Sequence, residues 1–481
     1  MTRILGDILS GHARLMSGDA ATPIAGITAD SRKVVPGSLF VAIPGTKADG
    51  ARFIPQAVAH GAAAILMEPA GEMPDVAIPL AFSLNIRRSL ALAAARVHPR
   101  QPATIAAVTG TAGKTSVAFF LRHMFERLGH RAAYLGTLGL VAPDGATYGG
   151  LTSPDPVDLH ATLDRLGGEG VTHMALEASS HGLDQFRLDG VRLRAGGFTN
   201  LGRDHLDYHP TIEAYYHAKL RLFTALLPDD APAVALLDAP YGATTLAWAK
   251  TRGLRTIAIG QGGDIDVAAI SADGVGQRVR LADGREILVP LIGAFQADNA
   301  LLAAGLAMAC GEDKDAALAA MATLPGVPGR MERVGADDSR LVFVDYAHKP
   351  EALQAVLDTL RAAVPGRLIA VFGCGGDRDR GKRPLMGAIA AKGADIVIVT
   401  DDNPRSENPA AIRAEILAAA PGAREIGDRA EAIDAAVKML QPGDALVVAG
   451  KGHETGQIIG DRTLPFSDTA AVLAALGEQG S

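Results

Sequence analysis

Apolar residues in this chain fall into two spacings that alternate from one end to the other: short unbroken runs, and longer stretches in which they recur every third or fourth position. The runs, bounded by glycine, proline or aspartate, read as buried strands, and the stretches as amphipathic helices. Residues 104–129 hold the clearest case. A strand run at 105–108 is followed by Val117, Phe120, Leu121, Met124, Phe125 and Leu128 at helical spacing, until Gly129 stops the helix. Comparable strand runs lie at 38–43, 62–67, 172–176, 195–199, 231–237, 256–259, 341–344, 368–372, 396–400 and 445–448. A pair of hairpin-like strands is predicted over 265–289 around Ala282-Asp283-Gly284, and helices opening at Phe53, over 215–223 and over 301–310. The whole predicts an ordered α/β protein.

At 481 residues the chain exceeds one domain, and its 48% hydrophobic content is enough for buried cores. Two breaks divide it. Val97-His98-Pro99-Arg100-Gln101-Pro102 reads as a linker, and Pro325-Gly326-Val327-Pro328-Gly329-Arg330 as an interdomain hinge. Three domains are expected, 1–101, 102–331 and 332–481. A net charge of -7 argues against a general nucleic-acid binder, although the cluster 378–383 offers a local anion site. Two cysteines, Cys310 and Cys374, give no disulfide framework or cysteine-based zinc site. No apolar segment is long enough to span a bilayer, so a soluble, unexported, cytoplasmic protein is expected.

Candidate chemistry gathers where strands end. The loop from Thr109 to Lys114 joins a strand to a helix N-terminus, where unpaired N–H groups and the helix dipole favour a polyphosphate. Gly110 and Gly113 allow close approach, Lys114 supplies a cation and Thr115 a hydroxyl for phosphate-bound magnesium. The spacing is Gly110-x-x-Gly113-Lys114-Thr115, with Val108 where the general phosphate loop has its first glycine. Glu177, ending the run 172–176, should lie on the same sheet edge as Lys114. The stretch 200–209 is dense in acids and imidazoles, which fits either a divalent cation or a solvated loop. Asp30-Ser31-Arg32 is either a ligand loop or a turn, and Lys219 alone reads as a surface charge. Past the hinge, three runs end in Gly375-Gly376-Asp377-Arg378, Asp402-Asn403-Pro404-Arg405 and Gly450-Lys451-Gly452-His453-Glu454. Crossover helices between them would set these loops on one edge, where two arginines fit a carboxylate and Asp402 and Glu454 an ammonium, unless the charges pair with one another.

These motifs, in this order and over essentially the whole length, resemble the Mur ligases, ATP-dependent amide-forming enzymes of peptidoglycan synthesis. Asp402-Asn403-Pro404-Arg405 resembles the family's signature for meso-2,6-diaminopimelate rather than lysine. The resemblance implies three α/β domains: a small UDP-binding one, a central P-loop-type ATPase and a C-terminal Rossmann-like one that brings the amino acid. It implies ATP contacts from Gly110, Thr111, Ala112, Gly113, Lys114, Thr115, Ser116, Asn299, Arg330 and Asp345. Ser31, Thr46, Lys47 and Ala48 would meet the UDP-sugar, and Thr152, Ser153, Ser179, Gln185 and Arg187 the muramoyl-peptide. Arg378, Asp402, Asn403, Pro404, Arg405, Gly450 and Glu454 would hold diaminopimelate. Thr115, Glu177 and His205 look like magnesium ligands, and Lys219 matches the lysine that the family carbamylates with carbon dioxide, giving an anion for a second magnesium.

The implied reaction adds meso-diaminopimelate to UDP-N-acetylmuramoyl-L-alanyl-D-glutamate through an acyl phosphate, in a cytoplasmic monomer with no nucleic-acid or membrane partner. Lys114, Lys219, Glu177 and His205 would be its catalytic groups, and closure about Gly329 would exclude water. Ala112, Ser116, Leu236, Ala239, Gln296 and Lys349 depart from common family residues. The rivals are lysine-adding or D-alanyl-D-alanine-adding Mur ligases, folylpolyglutamate synthetase, and, in another class, a regulatory P-loop NTPase.

Overall fold

The structure is a computed structural model that describes residues 3–45, 49–69, 74–147, 149–336 and 339–477. It divides into two compact units, Met1–Val267 with Leu301–Ala320, and Ala268–Ala300 with Met321–Ser481. Residues 325–330 therefore belong wholly to the second unit.

Beside a two-stranded pair, Arg3–Ile4 with Pro23–Ile24, the first unit holds two larger sheets. In the smaller, the strands Arg14–Ser17, Leu80–Phe82, Ala64–Met67, Ser38–Ala42 and Gly26–Thr28 lie side by side, the last four parallel. The helix Ile86–Val97, capped by the Asn85 side chain accepting from the Arg88 N–H, buries Leu90, Ala94 and Val97 against it. In the larger sheet, the run Ala132–Gly136, His173–Glu177, Thr104–Thr109, Ala195–Phe198, Pro232–Leu236 and Arg255–Gly260 is parallel throughout. Parallel sheets are covered on both faces, and the central strands read accordingly as continuous apolar runs. The strand Ala195–Phe198 shows the cost of close cover. A Cβ on Gly196 would meet Leu227 at 2.9 Å, and one on Gly197 would meet Leu306 at 2.8 Å. Asp189, almost fully buried, accepts from Arg88 of the smaller sheet's helix at 3.1 Å and from Arg221 at 2.8 Å, which fastens the two sheets' layers together.

At the opposite end of this sheet from the loop 110–113, His130, His173 and Glu312 come together. His130 Nε2 is 2.9 Å from the Glu312 carboxylate, and the two imidazoles stack at 3.7 Å with 27° between planes. In-plane lone pairs of stacked rings do not converge on one point, so the cluster is a hydrogen-bonded stack joining the turn after the helix Lys114–Arg127, the turn after Ala294–Cys310 and the strand His173–Glu177.

The second unit carries a sheet in the order Glu332–Val334, Leu341–Asp345, Ala445–Ala449, Leu368–Phe372, Ile396–Val399 and Arg424–Glu425, parallel except for the first pair. Alternate residues feed two cores: Phe343, Ala370, Phe372 and Val447 pack with Leu357 and Met386, while Val344, Ile369, Val371 and Val448 pack with Ile433 and Val472. The three runs expected to be parallel neighbours are so, with Lys382–Gly393 and Arg429–Met439 among the crossover helices.

Four elements differ from expectation. The helix at Phe53 is a 3-10 turn, Gly50–Phe53, leading into Ile54–Ala59. The helix over 215–223 starts at Ile212, capped by Thr211, and widens to a π-helix over Leu222–Leu226. The alanine-rich helix opens earlier, as Ala294–Cys310. The stretch 265–289 holds three strands, Ile265–Asp273, Gly276–Leu281 and Glu286–Val289, the last two joined antiparallel across 282–285.

Candidate active site

In the first unit the strands ending at Thr109, Glu177 and Phe198 are neighbours, and Glu177 is in register with Val108, so Glu177 does share an edge with the loop 110–113. That loop is folded against 199–202. Gly110 has φ +143°, and a Cβ there would lie 1.8 Å from Thr199 Oγ1. The Thr111 and Ala112 N–H groups donate to the Asn200 carbonyl and side-chain oxygen at 2.8 and 3.1 Å, and Thr199 Oγ1 donates to the Ala112 carbonyl at 2.6 Å. Ala112 is thus held through its backbone, and its departure from the family residue leaves the loop intact. Gly113, with φ +84°, opens the helix Lys114–Arg127, and Thr115 and Ser116 are buried in its first turn.

Two lysines converge on one carbonyl. Lys114 Nζ donates to Gly110 O at 3.0 Å and to Thr111 O at 2.9 Å, while Lys219 Nζ donates to the same Gly110 O at 2.6 Å. Lys219 is 1% exposed, with Nζ 4.2 Å from the Tyr215 ring centroid. Burial first, and the Lys114 charge second, push its pKa well below 10.5, with Asp204 opposing. Lys219 is therefore a buried lysine and not the surface charge that its place on a helix suggests.

Glu177 is fully buried. Its Oε1 accepts from the Tyr134 hydroxyl and, at 2.9 Å, from the Thr137 N–H, and Oε2 accepts from Thr137 Oγ1 at 3.1 Å. With one protein donor, Oε2 keeps acceptor capacity for a cation. His205, exposed and at φ +52°, contacts the His181 ring at 4.9 Å and the Tyr215 ring at 6.1 Å. Tyr215 therefore links His205 to Lys219.

Thr152, Ser153, Ser179, Gln185 and Arg187 form one network beside Glu177. Ser153 Oγ donates to the Glu177 carbonyl at 3.1 Å and accepts from the Ser179 N–H at 3.0 Å. Arg187 donates to the Ser153 carbonyl and the Gln185 side chain, both at 2.7 Å, and Thr152 Oγ1 is 3.0 Å from Thr137 Oγ1. In the smaller sheet, Ser31 Oγ donates to Gln56 at 2.9 Å, while Asp30 caps the turn and pairs with Arg32, as a turn would. Thr46, Lys47 and Ala48 lie outside the described residues.

In the second unit, Asp345 is buried and accepts from the Met331 and Ala347 N–H groups at 2.7 and 2.8 Å. Burial raises its pKa, with Arg330 opposing. The Arg330 guanidinium lies over Tyr346 at 4.4 Å, and its carbonyl accepts from Gln296, whose side chain in turn accepts from Asn299 at 3.1 Å. Of the expected nucleotide contacts, Asn299 and Arg330 are thus joined through Gln296, and Arg330 interacts with Asp345. Gly329, φ +64°, packs so tightly on Gly452 and His453 that a Cβ would lie 2.1 Å from the His453 nitrogen.

The loops after Phe372, Val399 and Ala449 meet on one edge. Asn403 donates to Glu454 at 2.9 Å, and its oxygen accepts from the Ile458 N–H and from buried Lys451 at 2.9 and 3.1 Å. Lys451 also pairs with Glu454 at 3.0 Å, so part of the charge does pair internally. The arginines do not follow: Arg405, φ +52°, donates to the Gly376 carbonyl at 2.8 Å, and Arg378 to that of Asp377 at 3.1 Å. Gly450, φ +116°, leaves room for Asp402, whose Oδ2 would lie 2.6 Å from a Cβ there. Pro404 presses its carbonyl on Gly376, 1.9 Å from where a Cβ would stand.

Sequence reasoning missed Tyr134 and Thr137, the donors that Glu177 requires once it is buried, and Tyr215. The last had a signal, since Tyr215 and Lys219 are four apart on one helix face.

Residues 23–105 match the Mur ligase family catalytic domain, 108–307 the Mur ligase middle domain, and 329–452 the Mur ligase glutamate ligase domain. The chain belongs to the Mur ligase family and has its three-domain α/β fold of ATP-dependent ligases. It is 55% identical over 484 residues to the UDP-N-acetylmuramoyl-L-alanyl-D-glutamate--2,6-diaminopimelate ligase of Bradyrhizobium diazoefficiens, and 56% identical over 483 to that of Rhizobium meliloti, covering 99% of each chain. A solved structure of a ligase of that name matches with TM-score 0.75 and 34% identity over 99% of both chains. Folylpolyglutamate synthase of Mycobacterium tuberculosis, at TM-score 0.62 and 20% identity over 82% of this chain and 96% of that one, shares the fold.

Proposed function

We propose that this chain adds meso-2,6-diaminopimelate to the D-glutamate γ-carboxylate of UDP-N-acetylmuramoyl-L-alanyl-D-glutamate, using ATP, in peptidoglycan precursor synthesis. The observation that carries this reading is the meeting of Arg378, Asp402, Arg405 and Glu454 on one sheet edge, with both guanidinium groups spent on carbonyls rather than on carboxylates. An acceptor with both carboxylate and ammonium groups at its far end fits them. The domains are 1–101, 102–331 and 332–481, and the enzyme acts in the cytoplasm as a monomer; among the described residues no helix is long and apolar enough to cross a membrane.

A carboxylate resists an amine because its negative charge, shared by both oxygens, repels the nucleophile and leaves the carbon a poor electrophile. Its oxygen first attacks the γ-phosphorus of ATP, and ADP leaves with the electrons of the broken P–O bond. The diaminopimelate amine then attacks the acyl carbon and loses a proton, and phosphate leaves from the tetrahedral intermediate. Lys114 offsets the crowding of negative charge in the first step, and the N-terminal turn of the helix Lys114–Arg127 holds the phosphates. Thr152, Ser153, Ser179, Gln185 and Arg187 orient the peptide, and Ser31 with Thr46, Lys47 and Ala48 the UDP-sugar. Asn299, Arg330 and Asp345 hold the nucleoside. Thr115, Glu177 and His205 would hold one magnesium and carbamylated Lys219 a second, supplying charge neutralisation between phosphate and carboxylate. The free acceptor capacity of Glu177 Oε2 and the disfavoured charge on Lys219 both fit this, since only a neutral amine attacks carbon dioxide.

Phosphate release with the UDP-muramoyl-dipeptide, measured alone and with meso-diaminopimelate, lysine or D-alanyl-D-alanine, tests the proposal. Stimulation by meso-diaminopimelate is expected. Release that ignores every acceptor, or follows lysine or D-alanyl-D-alanine instead, overturns it.

A further inference from the structure

Behind the amino-acid edge of the second unit lies an ion pair that the reaction above does not use. Arg429 opens the helix Arg429–Met439, Asp468 opens the helix Asp468–Leu476, and both side chains are 0% exposed. The pairing is two-pronged: Nε donates to Asp468 Oδ1 and Nη2 to Oδ2, each at 2.7 Å. On its other side the guanidinium donates from Nη2 to the Ala449 carbonyl at 2.9 Å and from Nη1 to the Asp401 carbonyl at 3.4 Å. These two carbonyls immediately precede Gly450 and Asp402, so one planar group is bonded to the roots of two of the three loops that meet on the edge. The Arg429 charge also interacts with both Asp402 and Glu454.

Core stability alone does not explain such a pair. Removing two charges from water costs about as much as their attraction returns, and apolar side chains of similar volume fill such a space as well or better. What apolar side chains lack is the pair of bonds to the loop roots. The guanidinium fork fixes the spacing between them, because its donors lie in one rigid plane. It also lays a guanidinium behind Asp402 and Glu454, the two carboxylates of the edge.

We propose that Arg429 and Asp468 are a positioning pair that sets the distance between the 401–405 and 449–454 loops and thereby the selectivity for the acceptor amino acid, without touching it. This rests on the diaminopimelate-adding reading, and the wild-type assay above tests that reading separately. The test here is Arg429→Lys, which keeps the charge and loses the fork, with Asp468→Asn as a second variant. Acceptor KM, ATP KM and the ratio of kcat/KM for meso-diaminopimelate over lysine are measured. KM and the ratio do not depend on how much of the preparation is folded, so a lowered yield leaves both readable.

The expected result is an acceptor KM raised about ten- to a hundredfold, as a misplacement of around an ångström produces, with the selectivity ratio reduced and ATP KM unchanged. Rescue of the ratio in Asp468→Glu, which restores the carboxylate, is also expected. A fall in thermal stability with acceptor KM and selectivity unmoved would show that the pair is merely structural and overturn the proposal. So would an equal rise in acceptor and ATP KM. A wild type that ignores meso-diaminopimelate would instead remove the reading beneath it.

Discussion

The two sheet edges handle buried charge in opposite ways. At the nucleotide edge, Lys114 and Lys219 both point at the Gly110 carbonyl, a neutral acceptor, and burial, with the Lys114 charge second, lowers the Lys219 pKa. At the amino-acid edge the buried cations meet carboxylates: Arg429 on Asp468, Arg383 on Glu407 and Glu415, Lys451 on Glu454. Buried cations that already meet carboxylates hold their loops in one shape, and the edge selects by it. Buried cations that donate to a neutral carbonyl turn instead to what arrives: a polyphosphate for Lys114 and, as proposed, carbon dioxide for Lys219.

The largest test of that contrast is Lys219→Met. It removes an amine that burial disfavours in its charged form, while Lys114 still donates to Gly110 O, so melting temperature should hold or rise. Turnover should fall by on the order of 10²–10³-fold, the loss seen when one preorganised electrostatic group is removed. Full turnover would remove Lys219 from the site. The pH sign follows from the lowered pKa. Between the folded value and 10.5 the unfolded chain binds the extra proton, so this residue makes stability rise with pH across that window, and Lys219→Met should flatten the rise. Added bicarbonate should stimulate the wild type and lose its effect as pH falls through the lowered pKa; the variant should not respond.

Arg405→Lys tests the other edge. Loss of a charge-assisted fork should raise acceptor KM by about ten- to a hundredfold with ATP KM steady. Gly450→Ala should do less. It strains a φ of +116° by about 1–3 kcal/mol, which lowers the melting temperature, and crowds Asp402, so acceptor KM rises in the same assay. Smallest is Ala112→Asn: the loop is held by backbone groups, so turnover should stay within about threefold, the scale of a surface change.

What the sequence made legible follows the same division. Strand runs and the glycine loop are local patterns, and they placed Lys114, Glu177 and the three loop-bearing strands on the edges where they stand. Contacts between distant segments left no such mark. Tyr134 and Thr137 lie about forty residues from the Glu177 they satisfy, and Arg429 lies 39 from Asp468. Lys219 was hidden differently, because a lysine on a helix reads as solvated until tertiary packing buries it.

The most direct measurement is carbon-13 NMR of the protein in labelled bicarbonate. The account predicts one slowly exchanging carbamate carbon that is absent in Lys219→Met and retained in Arg405→Lys. No carbamate signal at saturating bicarbonate, or one that survives Lys219→Met, would contradict it.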